Sequence, residues 1–102
     1  MDVSNARLVE DAERKEKDIR RQELNDIRTV LSNASGRRLL WRLMEKCNTF
    51  QSLFTDPHQM AYLSGQQDIG HFIMSEIVEA DEHLLFKIMK DNFKDREAIN
   101  DN

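Results

Sequence analysis

The sequence predicts an all-α fold. Only three Gly and one Pro are spread over 102 residues, and 33% of the chain is charged against 39% apolar, which suits helices better than the turn-rich spacing of a sandwich or barrel. The apolar residues also gather into stripes when the chain is wound at 100° per residue. A chain of this length makes one domain at most and, if it folds throughout, buries roughly two thirds of the surface its unfolded form exposes. The expected architecture is a small bundle of three core helices plus a long charged N-terminal helix.

Residues 3–31 read as the first helix. They contain no Gly or Pro, and their acidic and basic residues alternate closely enough to pair at i,i+3 and i,i+4. Ile19, Leu24, Ile27, Val30 and Leu31 form an apolar stripe, whereas Ala12 is the only apolar residue between Val9 and Ile19. The chain is therefore divided into a charged N-terminal arm or projecting helix at 1–18, a helical domain at 19–94 and a polar C-terminal tail at 95–102.

Ser32-Asn33-Ala34-Ser35-Gly36 interrupts that helix, because Asn, Ser and Gly favour caps and turns. Ser35 is the expected N-cap of a second helix running to about Cys47. Leu39, Leu40, Trp41, Leu43, Met44 and Cys47 fill an apolar arc of roughly 200°, which implies burial against two neighbours. Arg38, Arg42, Glu45 and Lys46 occupy the remaining, solvated face. Arg37 falls inside the apolar arc one turn before Trp41, placed to stack on the indole or to pair with a carboxylate of another helix. A semi-buried charge without a partner is expensive, so Arg37 is expected to be structural.

Residues 48–55 read as an irregular loop in which Phe50, Leu53 and Phe54 plug one end of the core or present a side chain to a partner. Asp56 as N-cap and Pro57 at the first helical position open a third helix, to about Ala80. It turns Met60, Tyr62, Leu63, Ile69, Ile73, Met74, Ile77 and Val78 to one broad side. Gly70 on that side is expected to admit a bulky neighbour such as Trp41. Gly65, near Ala61 and Phe72 on the other side, suggests a second contact surface, and Phe72 is expected to touch another helix or another subunit. Asp81-Glu82 caps a fourth helix that ends near residue 93 or 94. Its apolar arc is Leu84, Leu85, Phe86, Ile88, Met89 and Phe93, with Lys87, Lys90 and Lys94 on the polar face.

Net charge is -4, but its distribution is more informative. Residues 36–47 carry four basic and one acidic group, while 48–80 carry four acids and no Lys or Arg. The basic second helix is expected to face the acidic third, with Arg37 pairing there. Nucleic-acid binding usually needs a net basic footprint, so it is disfavoured although Arg37, Arg38, Arg42 and Lys46 beside Trp41 offer the right groups.

No catalytic, cofactor-binding or metal-binding residues are assigned, and the chain is not expected to be an enzyme. His58, His71 and His83 lie on different segments, and none is i,i+4 from another. Glu79 and His83 have helical metal spacing but straddle the Asp81 cap. Cys47 sits on the apolar arc as a small hydrophobe, and a single Cys fits a reducing compartment. Nothing reads as a signal peptide or a membrane span.

One block carries a resemblance. Gly36-Arg37-Arg38-Leu39-Leu40-Trp41-Arg42-Leu43-Met44-Glu45-Lys46-Cys47, followed by Phe50, Phe54, Thr55, Gly65, Ile69-Gly70, Ser75-Glu76-Ile77, Met89 and Lys90, resembles a family of small tailed-bacteriophage proteins over residues 34–93. That family is commonly encoded near head and portal genes, which implies a minor virion or assembly component. The chain departs from it at Gln66 and Gln67, where relatives typically have two basic residues. If that pair grips DNA or an acidic partner in relatives, this member lacks the grip, and Gln66 needs hydrogen-bond partners on the apolar side.

The functional expectation is a non-enzymatic phage protein acting through protein–protein contacts, located in the virion after synthesis in the host cytoplasm. Its partners are other phage structural proteins or copies of itself, and Phe54, Phe72, Arg38 and Arg42 are the candidate contact residues. The alternative is a non-virion phage protein that binds a host factor or nucleic acid.

Overall fold

The structure, a computed structural model, describes residues 3–100, with side chains described for residues 3–92. Four helices follow one another: α1 (Val3–Val30), α2 (Ala34–Lys46), α3 (Pro57–Ala80) and α4 (Glu82–Asn100). No strand occurs among the described residues. The chain is all-α, and α3 is its centre, packing against α1, α2 and α4 while α2 also packs on α4.

The core is small. Leu31, Trp41, Met44, Ile77 and Ile88 are buried together, and Ile27, Leu40, Ile73, Met74, Leu84, Leu85 and Met89 pack around them half-buried. All four helices meet in that cluster, because Leu31 is the first residue after α1 and each other helix supplies at least one buried side chain. The overall shape is long: the principal extents are 69 × 38 × 16 Å and the radius of gyration is 19.0 Å, against about 13 Å for a compact domain of 100 residues.

The length comes from α1. Its side chains from residue 3 to residue 19 are exposed except for half-buried Ala6, and Val3, Leu8 and Val9 are among the exposed ones. Arg20 begins the covered part, where Leu24 and Ile27 are half-buried. The docked stripe is narrower than the sequence implied, since Ile19 and Val30 stay exposed.

The α1–α2 corner turns on Asn33, not Ser35. Asn33 has extended backbone (φ -117°, ψ 157°), and its side-chain oxygen accepts the Gly36 N–H at 2.8 Å. That capping starts the helix two residues earlier than expected. At the other end Asn48 takes the left-handed conformation (φ 56°), its N–H donating to the Glu45 carbonyl at 3.0 Å and the Thr49 N–H to the Met44 carbonyl at 3.2 Å. This is a Schellman closure with Asn in the position usually given to Gly. Buried Thr49 adds a hydroxyl donation to the same Met44 carbonyl at 2.7 Å.

The loop that follows does not plug the core with all three apolar side chains. Phe50 stacks on Trp41 with ring centroids 5.3 Å apart, Leu53 is half-buried, and Phe54 is 96% exposed. Asp56 caps α3 by accepting the His58 and Gln59 N–H groups, with Pro57 at the first position. Tyr62 and Ile69 of α3 and Phe86 of α4 lie outside the packed surfaces, so both apolar arcs are wider than the core that uses them. Asp81 caps α4 by accepting the His83 N–H at 3.0 Å. That helix continues to Asn100, beyond the expected end at 93 or 94, and the side chains of Phe93 and Lys94 lie outside the described residues.

Candidate functional site

The Gly36–Cys47 block divides between a packed and an outward side. On the packed side, a Cβ added to Gly36 would sit 1.8 Å from the Val30 carbonyl oxygen, so Gly at this position lets α2 start against the end of α1. Arg37 has a side chain only 14% exposed. Its Nη1 donates to the Leu31 carbonyl at 2.8 Å, and its Nε lies 3.8 Å from Asp91 Oδ2 of α4, close enough for ionic attraction but not a hydrogen bond. Arg37 therefore ties α1, α2 and α4. It does not pair with the acidic third helix, and Trp41, 4% exposed, stacks on Phe50.

The acids of α3 are used by α1. Arg20 Nη2 donates to Glu76 Oε2 at 2.5 Å and to Glu79 Oε2 at 2.6 Å, while Nε reaches Glu79 Oε1 at 3.4 Å. The hydrogen bonds from Arg20 hold the Glu79 carboxyl below the usual carboxylate range, and the bonds to Glu76 and then Glu79 raise the Arg20 guanidinium above its ordinary value. Eight residues on, Arg28 Nε donates to the Ala80 carbonyl at 2.7 Å, satisfying one of the open carbonyls at the C-terminus of α3. The sequence reading missed this clamp. Its only signal was the i,i+3 spacing of Glu76 and Glu79 opposite the point where the apolar stripe of α1 begins.

The two glutamines at the departure from the family pattern hold the α2–α3 loop. Gln67 Nε2 donates to the carbonyls of Asn48 and Gln51 at 2.9 and 2.8 Å, and Gln66 Oε1 accepts from Asn48 Nδ2 at 3.3 Å. His71 Nε2 lies 3.2 Å from the Thr49 carbonyl on the same loop. Gly70 meets this loop, not Trp41: an added Cβ would fall 1.9 Å from Thr49 Oγ1 and 3.0 Å from Cys47 Cβ. The close approach of α3 to the end of α2 therefore requires Gly.

Other sequence-selected residues face outward. Arg38, Arg42 and Lys46 are exposed, and Leu39 and Leu43, expected in the packed arc, are 51% and 44% exposed beside them. Phe72 is 57% exposed and lines a groove of about 370 Å³ with Ile27, Leu40 and Ile73. Gly65 has nothing within 4 Å of an added Cβ. Phe54 lies at the far end of the loop and is not brought together with this groove. Glu79 is committed to Arg20 and His83 lies 3.8 Å from Glu82, so the pair with metal spacing is not assembled. Among the described residues, no group of three or more His, Cys, Asp or Glu is arranged to hold a metal ion.

The arrangement combines packing corners with exposed apolar side chains at Leu39, Leu43, Phe54 and Phe72. No helix among the described residues is long and apolar enough to cross a membrane. No curated protein and no solved structure matches the chain. The family model of the Bbp19-like phage proteins matches residues 27–90, from the docked end of α1 through the Arg37 corner and α3 into α4. The chain belongs to the Bbp19-like phage protein family.

Proposed function

We propose that the chain is a non-enzymatic bacteriophage protein that acts through protein–protein contacts as a minor component of the virion, in a structural, head–tail or ejected role. The observation that carries this reading is the outward apolar surface inside the family-matched region: Leu39 and Leu43 on α2, Phe72 on α3 and Phe54 on the loop between them are all exposed. Such side chains on a small, rigidly capped bundle suit docking. The resemblance to proteins encoded near head and portal genes supports the virion as its place, after synthesis in the host cytoplasm. Mass spectrometry of purified particles tests it. The chain is expected at a reproducible copy number, and its absence from particles rejects the virion role.

The exposed row Arg38, Arg42 and Lys46 supports a second reading, in which the protein leaves the virion pathway and binds a host factor or nucleic acid. The net charge of -4 and the acids of α3 weigh against a phosphate backbone. Titration with a mixed oligonucleotide separates the readings: micromolar binding at physiological salt, weakened by Arg38→Glu and Arg42→Glu, would favour the second.

A further inference from the structure

We infer that the chain associates with a second copy of itself, the outer ridge of α2 on one copy seating in the groove between α1 and α3 on the other. This rests on the reading of the protein as a contact module. It does not depend on where in the infection cycle the protein is used.

The groove has an apolar floor of Ile27, Leu40, Phe72 and Ile73 and an acidic rim of Glu23, Asp26 and Glu76. Among the described residues lining it the one cation is Arg20, already engaged by Glu76 and Glu79. With three acids against one arginine, the rim has a net charge of -2. Its matching occupant is an apolar ridge flanked by cations.

The chain itself presents such a ridge. Leu39 and Leu43 stand one helical turn apart on α2 and are half exposed, with Arg42, Lys46 and Glu45 beside them in a shallow depression, two cations against one acid. Neither Arg42 nor Lys46 makes an ion pair among the described residues. The pairing buries leucines against an apolar floor and places two free cations on an anionic rim, and opposite fields of this kind fix register and partner choice. Ridge and groove are different patches of one surface. The contact therefore either closes a pair in which both seats fill at once or propagates head to tail into a ring.

Sedimentation velocity of the full chain from micromolar to millimolar concentration tests this, with two charge-reversed variants: Arg42→Glu with Lys46→Glu on the ridge, and Glu23→Lys with Asp26→Lys on the rim. The wild type is expected to associate with concentration, each variant to lose at least about tenfold in association constant, and an equimolar mixture of the two to recover it. All four side chains are exposed or solvated at the rim, so circular dichroism should show unchanged helix content in both variants. Phe72→Ser reads the apolar floor without altering charge, and it too should weaken association. A wild type that stays monomeric throughout, an oligomer indifferent to both reversals, or a mixture that fails to recover would overturn the inference. None of these outcomes bears on whether the protein is found in particles.

Discussion

The Arg37 guanidinium donates to the Leu31 carbonyl at 2.8 Å across the α1–α2 corner, six residues back along the chain. Leu31 is itself fully buried in the core, so this bond fixes the end of α1 where the four helices meet. The most basic stretch of the protein thus spends its best-buried arginine on architecture. Arg38 and Arg42, its neighbours on the same helix, remain exposed.

That division predicts unequal alanine scans. Arg37→Ala should cost about 2 kcal/mol of unfolding free energy, because it leaves the Leu31 carbonyl short of its charged donor and removes the ionic neighbour of Asp91. Arg38→Ala and Arg42→Ala should stay within about 0.5 kcal/mol. Urea denaturation followed by circular dichroism measures all three, and equal losses would refute the division.

The glycines should respond with opposite signs. Gly65→Ala meets nothing within 4 Å at an exposed position inside α3, and should stabilise by about 0.5–1 kcal/mol. Gly36→Ala drives a Cβ into the Val30 carbonyl, and Gly70→Ala drives one into Thr49, whose hydroxyl is held by Met44. Each should destabilise by roughly 1–3 kcal/mol. Melting temperatures of the three variants give the order directly.

The Arg20 clamp predicts acid sensitivity. Glu79 binds its proton more weakly folded than unfolded, so its stabilising contribution is complete above the ordinary carboxylate range. It is lost as pH falls through the lowered folded value, while Arg20, raised further, stays charged throughout. Urea midpoints as a function of pH should fall across that window in the wild type and fall less in Glu79→Gln, which starts lower at neutral pH. Both sites are solvated, so raised salt should narrow the gap between the two proteins.

Trp41 offers a spectroscopic readout. With 4% exposure and Phe50 stacked over it, the indole should emit at short wavelength in the native protein and shift red on unfolding. Trp41→Ala should cost about 3–5 kcal/mol, because it removes the largest buried side chain of the described core cluster. Phe50→Ala should be milder and shift the native emission red, because it uncovers one face of the ring.

Much of this fold was legible because local chemistry and periodicity agreed. The Asp56-Pro57 start, the break after Leu31 and the apolar arc holding Trp41 and Met44 all follow from residue type and spacing. The N-cap was misread because Ser32, Asn33 and Ser35 are all competent caps, and only tertiary packing of Gly36 on Val30 selects Asn33. Periodicity also assigned Leu39, Leu43, Ile69 and Tyr62 to the core, since it cannot distinguish a face covered within the chain from one left for a partner. The Arg20 clamp and the Gln67 bracket join residues more than a dozen positions apart, and no local pattern announces them.

The packed side of the Gly36–Cys47 block builds the bundle, and we propose that its outward side serves assembly into the phage particle. Quantifying the protein in purified particles carrying wild type or the double variant Arg38→Glu, Arg42→Glu tests this most directly. The wild type should be incorporated at a fixed stoichiometry, and the double variant, folded and as abundant in infected cells, should be depleted from particles. Equal incorporation of both, or no wild-type protein in particles, would contradict the account.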